Sequence, residues 1–149
     1  MKYTESMSNR LNELLTRNYD AEARYAKAAK IVDTPQLKRF FETQAQNRNN
    51  FGHELKGEIN NVGGAHSEEV GIVEIPHRPW INLKGALTSS EEESILGEVI
   101  RLDKSVIDEY KDVLNNRSLP PSTKIILIYQ VVNIENALRS SESFEVVFA

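Results

Sequence analysis

The chain has 149 residues, no cysteine and a formal net charge of −4 at pH 7. A soluble domain of this length buries roughly 68–70% of its unfolded surface, which predicts one hydrophobic core. The 18 basic residues are interleaved with 22 acidic ones, so nucleic acid is not an expected partner, and the lack of cysteine excludes disulfides and thiolate metal sites.

The N-terminal sequence Met-Lys-Tyr-Thr-Glu-Ser lacks the apolar run of a signal peptide. No other apolar run approaches the roughly 18 residues of a membrane span. We therefore expect a cytoplasmic protein with no membrane partner. Residues 1–149 are expected to form a single helical domain.

Apolar residues recur at helical spacing through the first part of the chain, with one interruption. Helix one is predicted from about Thr4 or Ser8 to Val32. The sequence Asp33-Thr34-Pro35 then indicates a break, because Asp33 or Thr34 can cap a helix and proline suits its first turn. Helix two is predicted from Pro35 to about Val62, where two glycines close it.

The helical pattern lapses over residues 65–89, which are expected to form a long crossover containing a short helix at 79–87. Ser90 and Glu93 form a capping box that predicts the start of helix three. Two asparagines, Asn115 and Asn116, end that helix. Helix four is predicted from Pro121 to about Glu142, and an apolar tail, 143–149, is expected to pack on the bundle or on a partner.

The loop lengths predict how the helices are paired. Short connections make helix one antiparallel to helix two and helix three antiparallel to helix four, while the long crossover joins the two pairs. This order is typical of an all-α, antiparallel four-helix bundle of the ferritin-like type. An ordinary bundle with the same loop lengths is the alternative.

Two helices carry an acid among their core positions. Asp103 falls in the middle of the apolar stripe of helix three, and Glu22 falls on the stripe of helix one. Ferritin-like dimetal proteins place a glutamate on each of two helices and Glu-x-x-His on the other two. Here the other two helices offer Gln-x-x-Asn instead, formed by Gln44 with Asn47 and by Gln130 with Asn133.

The amides change the expected chemistry of this polar layer. Neutral amides are weak ligands for iron or manganese, and two carboxylates cannot neutralise two divalent ions. The favoured interpretation is a hydrogen-bonded layer in which Arg48 supplies the positive charge that a buried acid needs. The alternative is a single weak metal site, with Glu22 and Asp103 as ligands, or a small-ligand pocket.

Other catalytic signals are absent from the sequence. The three histidines are scattered and are not expected to bind metal: His53, His66 and His77. No nucleophile triad or glycine-rich phosphate loop stands out. A hydrolase or a nucleotide-dependent enzyme therefore has no support.

Three groups of segments carry a family resemblance. They are Glu22-Ala-Arg-Tyr-Ala-Lys-Ala-Ala29, the Leu37–Leu55 region, and His77-Arg-Pro-Trp-Ile-Asn-Leu-Lys-Gly-Ala-Leu87, which is the most specific. With Asp103 to Tyr110 and a later proline pair, they resemble a domain-of-unknown-function family of small bacterial ferritin-like proteins. The resemblance covers nearly the whole chain up to about Leu138. Where such proteins have a histidine in helix four, this chain has Asn133-Ile-Glu-Asn136.

The resemblance implies a four-helix bundle distantly related to stress-associated proteins of the YciE and YciF kind, with no established activity. The first functional hypothesis is accordingly a stress-associated, non-enzymatic bundle without a cofactor, which acts as a homo-oligomer or through a protein partner. The second is an iron- or manganese-binding or oxidase-like protein of the ferritin family. The Gln-x-x-Asn replacements favour the first.

Overall fold

The computed structural model describes residues 2–64 and 91–148. Four helices contain nearly all of them: α1, Lys2–Ile31; α2, Pro35–Asn61; α3, Glu91–Leu114; and α4, Pro121–Phe148. No strand occurs within these two ranges. The predicted crossover, its short helix and the Ser90 half of the capping box lie outside the described residues.

The helices pack in the predicted pairs. The neighbours in closest contact are α1 with α2 and α3 with α4, and the two pairs meet where α1 lies against α3 and α2 against α4. This arrangement confirms the all-α, ferritin-like four-helix bundle. None of the described helices is long and apolar enough to cross a membrane.

The inward face of α1 follows a seven-residue repeat. Leu11, Asn18, Tyr25 and Val32 are each no more than 2% exposed, and the second set of repeat positions, Met7, Leu14, Ala21 and Ala28, is equally buried. When helices supercoil around one another, the residues along their contact line, the seam, follow a strict seven-residue repeat. The repeat places the polar side chains of Asn18 and Tyr25 at the bundle centre.

The turn between α1 and α2 is held by the first turn of α3. The Glu92 carboxylate accepts hydrogen bonds from the backbone N–H groups of Asp33, at 2.8 Å, and Thr34, at 2.9 Å, and from the Thr34 hydroxyl, at 2.6 Å. Thr34 is the N-cap residue of α2, but its side chain does not cap the helix. The predicted side-chain cap is therefore wrong at Thr34, because Glu92 uses the hydroxyl to join the two helix pairs.

Gly63 ends α2 with a backbone φ of 83°, the left-handed conformation that favours glycine. Its N–H donates to the Asn60 carbonyl at 3.0 Å, and the Gly64 N–H donates to Ile59 at 2.9 Å. The chain also passes so close to the Ser8 side chain that Gly64 has no room for a Cβ atom. The two predicted glycines thus close the helix as expected.

The end of α4 differs from the prediction. The helix continues to Phe148 instead of ending near Glu142, so most of the predicted apolar tail forms its last turns. No glycine or proline interrupts residues 143–148. Phe144 packs its ring against Phe40 of α2, with centroids 5.3 Å apart. The contact holds this end of α4 on the bundle, while Val146 and Val147 stay exposed.

Candidate functional site

Asp103 is the centre of a buried group of charges between α1, α2 and α3. Its Oδ1 accepts hydrogen bonds from Arg48 Nη2 at 2.8 Å and Arg24 Nη2 at 3.1 Å. Its Oδ2 accepts one from the Tyr25 hydroxyl at 2.5 Å. These four residues, called the Asp103 cluster below, are almost completely shielded from solvent. The predicted pairing of Arg48 with Asp103 is confirmed.

The Tyr25 ring supports both guanidinium groups. The Cζ atom of Arg24 lies 5.6 Å from the ring centroid, and that of Arg48 lies 5.7 Å from it. A cation within about 6 Å of an aromatic face is attracted to it. Tyr25 therefore stabilises the positive charges while its hydroxyl binds the single carboxylate.

Two guanidiniums face one carboxylate in the cluster, so it carries one more positive charge than negative. Burial lowers the pKa of Arg24 although Asp103 opposes the shift. Burial also disfavours the charge of Arg48, but the Asp103 carboxylate and its hydrogen bond outweigh this and raise its pKa. Arg48 also makes the shorter hydrogen bond, 2.8 Å against 3.1 Å, so it is the stronger partner of Asp103, and Arg24 is the less fully compensated charge.

The protonation state of Tyr25 matches its role as a donor. Burial and the adjacent Asp103 carboxylate both raise the pKa of its hydroxyl. A proton held by Tyr25 is needed for the hydrogen bond to Oδ2. All the strong acceptor positions of Asp103 that face the cluster are consequently used by cations or by a phenol.

The donor set around Asp103 does not fit a dimetal centre. Such a centre needs several carboxylates or imidazoles, whereas the side chains nearest to Asp103 are two cations and a neutral phenol. Across residues 2–64 and 91–148, no group of three or more histidines or acids is placed to hold a metal ion. Both oxygens of Asp103 are already engaged by donors.

Glu22 does not join the cluster. It is half-buried, and both carboxylate oxygens accept from Asn49 Nδ2, at 3.3 and 3.2 Å. Together with Glu42 and Gln46 it lines a shallow groove between α1 and α2. The prediction that Glu22 belongs to the buried layer is therefore wrong, because its carboxylate turns toward Asn49 and this groove, although Leu15 and Ala29, seven residues to either side, are buried.

Gln130 belongs to a second buried network. Its Oε1 accepts from the Tyr110 hydroxyl at 2.6 Å, and its Nε2 donates to Glu54 at 2.9 Å. Asn18 Nδ2 donates to the Tyr110 oxygen at 2.8 Å, and burial raises the pKa of Tyr110. This Gln130 network, formed by Asn18, Glu54, Tyr110 and Gln130, links all four helices.

The remaining amides of the predicted layer take no part in either network within the described residues. Gln44 is buried, whereas Asn47 and Asn133 are only half-buried. The second member of each Gln-x-x-Asn pair therefore lies off the core face. The expected single layer is replaced by two separate networks, and His53 is exposed, as its scattered position suggested.

Two buried charged side chains of the bundle were not predicted from the sequence. Arg24 lies beside the α1 seam, and its long side chain reaches inward from there. Glu58 is buried and accepts from the Thr123 hydroxyl at 2.7 Å. Glu58 was detectable, since it follows Arg48, Phe51 and Leu55 at helical spacing.

Comparisons with known proteins agree with this fold. The family described as Domain of unknown function (DUF2383) matches residues 6–116. A search of curated proteins gives no significant match.

Two solved structures are similar to the chain. One is a dodecameric thioferritin, the bacterioferritin-related protein of Bacteroides fragilis, with a TM-score of 0.78, 15% identity, and coverage of 95% of this chain and 84% of that one. The other belongs to the ferritin-like, diiron-carboxylate proteins of Bacillus anthracis str. Ames, with a TM-score of 0.60, 18% identity and coverage of 97% and 94%. At these identities the likeness shows the fold alone.

Proposed function

We propose that this chain, which belongs to the DUF2383 family, is a non-catalytic ferritin-like bundle protein that acts through association with protein surfaces and not through a metal centre. One observation carries the proposal: two buried guanidiniums and a phenol take the place around Asp103 where a metal centre would need further carboxylates. The stress association implied by the family resemblance and the cytoplasmic location expected from the N-terminal sequence are part of this proposal.

The charge of the cluster supports the absence of metal chemistry. A divalent ion at Asp103 would meet two cations in a site of low dielectric, where like charges repel strongly. Its binding would require Arg24 and Arg48 to leave Asp103 and to find other acceptors inside the bundle. The diiron chemistry of the Bacillus anthracis neighbour is for this reason not proposed for this chain.

Two features support a role in assembly. The Bacteroides fragilis neighbour is a dodecamer, so the same fold can form large complexes. In addition, α4 exposes several large apolar side chains, including Ile125, Tyr129 and Val132. Exposed apolar patches on a soluble bundle often mark protein contacts.

Titration calorimetry with Mn(II), and with Fe(II) under anaerobic conditions, tests the proposal. We expect no stoichiometric binding to the metal-free protein. Asp103→Asn removes the only carboxylate of the cluster, and Glu22→Gln is the matched control in the groove. Stoichiometric binding would contradict the proposal, and the variant that abolishes it would locate the ion.

A further inference from the structure

The solvent face of α4 carries an apolar stripe. Ile125, Ile128, Tyr129 and Val132 are 68%, 44%, 59% and 46% exposed, respectively. Their spacing of three and four residues places them on one face of the helix. We call these four residues the α4 stripe. No charged residue occurs between Ile125 and Ile134.

The opposite face of α4 is already used by the bundle core. Leu127, Val131 and Ile134 are no more than 5% exposed and pack into the larger apolar cluster. A bundle helix normally carries polar residues on its outer face, and a helix that is apolar on both faces is usually covered on both. Within residues 2–64 and 91–148 the α4 stripe is left exposed, so a partner that covers it would come from beyond these four helices.

Tyr129 is held in place within the stripe. Its ring meets Phe51 of α2 edge-on, with centroids 6.1 Å apart. This contact fixes one side of the tyrosine and leaves 59% of the residue exposed. The stripe is consequently a preformed surface at the edge of the α2–α4 contact, so little ordering is needed before a partner binds.

We propose that the α4 stripe pairs with the α4 stripe of a second copy of this chain, antiparallel about a two-fold axis between Ile128 and Tyr129. This inference rests on the proposed role in assembly, and it identifies the partner as a second copy of this chain. In this arrangement Ile125 faces Val132 of the second copy, and Ile128 faces Tyr129. Large side chains then meet large side chains along the whole stripe, as a self-complementary two-fold interface requires.

Charge complementarity selects this direction of pairing. Lys124 and Glu135 flank the two ends of the stripe, and their separation of 11 residues places them on the same side of the helix. An antiparallel pair brings Lys124 of one copy beside Glu135 of the other, whereas a parallel pair leaves the two charges at opposite ends of the interface. Glu135 also lies 3.3 Å from Lys111 of its own chain, so Lys124 of the second copy would be a further cation beside it.

Single-cysteine cross-linking tests the geometry, because the natural chain contains no cysteine. Ile128→Cys puts a thiol beside the axis, and mild oxidation should convert most of the protein into a covalent dimer. Ser140→Cys is the control on the same exposed helix face. In the antiparallel pair its two copies are about 35 Å apart and should not cross-link.

Cross-linking of both variants to the same extent would show a parallel pair or random collision and would overturn the proposal. Failure of Ile128→Cys to cross-link under conditions where the thiol is reactive would also overturn it.

The oligomeric mass supplies an independent test. Sedimentation equilibrium should give a dimer or a multiple of it for the unmodified chain, and Val132→Glu should lower the mass while the helical circular dichroism is kept. Lys30→Glu, an exposed change on α1, should leave the mass unchanged. A monomeric natural chain, or a Val132→Glu variant that keeps its mass, would overturn the proposal. If metal titration still shows no binding in that case, the α4 pairing alone has failed and the metal-free role is untouched.

Discussion

Arg48 holds Asp103 at the centre of the bundle, with its Nη2 atom 2.8 Å from Oδ1 and both side chains 1% exposed. A buried ion pair is not by itself a source of stability, because removing both charges from water costs about as much as their attraction returns. Once the charges are buried, however, each depends on the other. The first two predictions follow from this dependence.

Replacing Asp103 should strongly destabilise the fold. Asp103→Ala leaves two buried guanidiniums without their anion, and breaking a buried pair in this way costs about 3–5 kcal/mol. Glu22→Ala is the control on the neighbouring groove and should cost no more than about 1 kcal/mol, since Glu22 is half-buried. Urea unfolding of both variants measures the difference, and equal losses would place Glu22 in the same network as Asp103.

The two arginines of the cluster should not be equivalent. The pKa of Arg48 is raised, mainly by Asp103 against the effect of burial, and the pKa of Arg24 is lowered by burial. Arg48→Met should therefore lower the free energy of unfolding more than Arg24→Met, which leaves one cation paired with one anion. Chemical denaturation gives both values. A larger loss for Arg24→Met would show that Arg24 is the principal partner of Asp103.

Glu92 joins α3 to the turn between α1 and α2, and we expect this junction to lose stability at acid pH. Burial opposes its charge, but the hydrogen bonds from Thr34 and Asp33 together outweigh it and lower the pKa of Glu92 from its ordinary value of 4.5. A lowered pKa contributes stability that is present above the unfolded pKa and lost as the pH falls through the folded value. Glu92→Gln should remove this part of the acid dependence.

The exposed neighbour Glu93 supplies the matched control for that experiment. Unfolding free energies are compared between neutral pH and pH values below 4.5, the ordinary pKa of glutamate. Glu93→Gln should leave the profile of the natural chain unchanged. A profile that Glu92→Gln does not alter would show that its hydrogen bonds do not stabilise the fold.

The contact between Phe144 and Phe40 should stabilise the end of α4. Phe144 lies against Phe40, so Phe144→Ala should cost about 1–3 kcal/mol through lost burial and ring contact. Val147 is 76% exposed, and Val147→Ala should change stability by less than about 0.5 kcal/mol. Thermal unfolding compares the two variants. If the two variants have the same melting temperature, the last turns of α4 do not stabilise the bundle.

The bundle itself was predictable from local signals. Pro35, Gly63 and Pro121 mark helix boundaries through their own backbone chemistry, and the periodicity of apolar residues identifies the faces between them. Asp103 and Arg48 were found because they lie on those faces. The end of α4 was misplaced because residues 143–148 carry no stop signal, and a tertiary contact at Phe144 extends the helix.

The composition of the site was harder to predict, for a geometric reason. Glu22 lies seven residues from Leu15 and from Ala29, which are both buried, so its position in the helix predicts burial. Its side chain turns instead to Asn49 at the edge of the bundle. Arg24 lies at the opposite edge, and its length lets it reach Asp103. Periodicity alone cannot foresee that an arginine replaces an acid in the core.

The melting temperature in the presence of divalent metal tests the central claim most directly, namely that guanidiniums stand where a metal centre would need ligands. A ligand at 100 times its dissociation constant stabilises a fold by about 2.7 kcal/mol, which would raise the melting temperature of a chain of this size by roughly 5–10 °C. We predict that millimolar Mn(II) or Zn(II), or anaerobic Fe(II), leaves the melting temperature of the natural chain nearly unchanged. A large rise that disappears in Asp103→Ala would contradict the claim and make Asp103 a metal ligand.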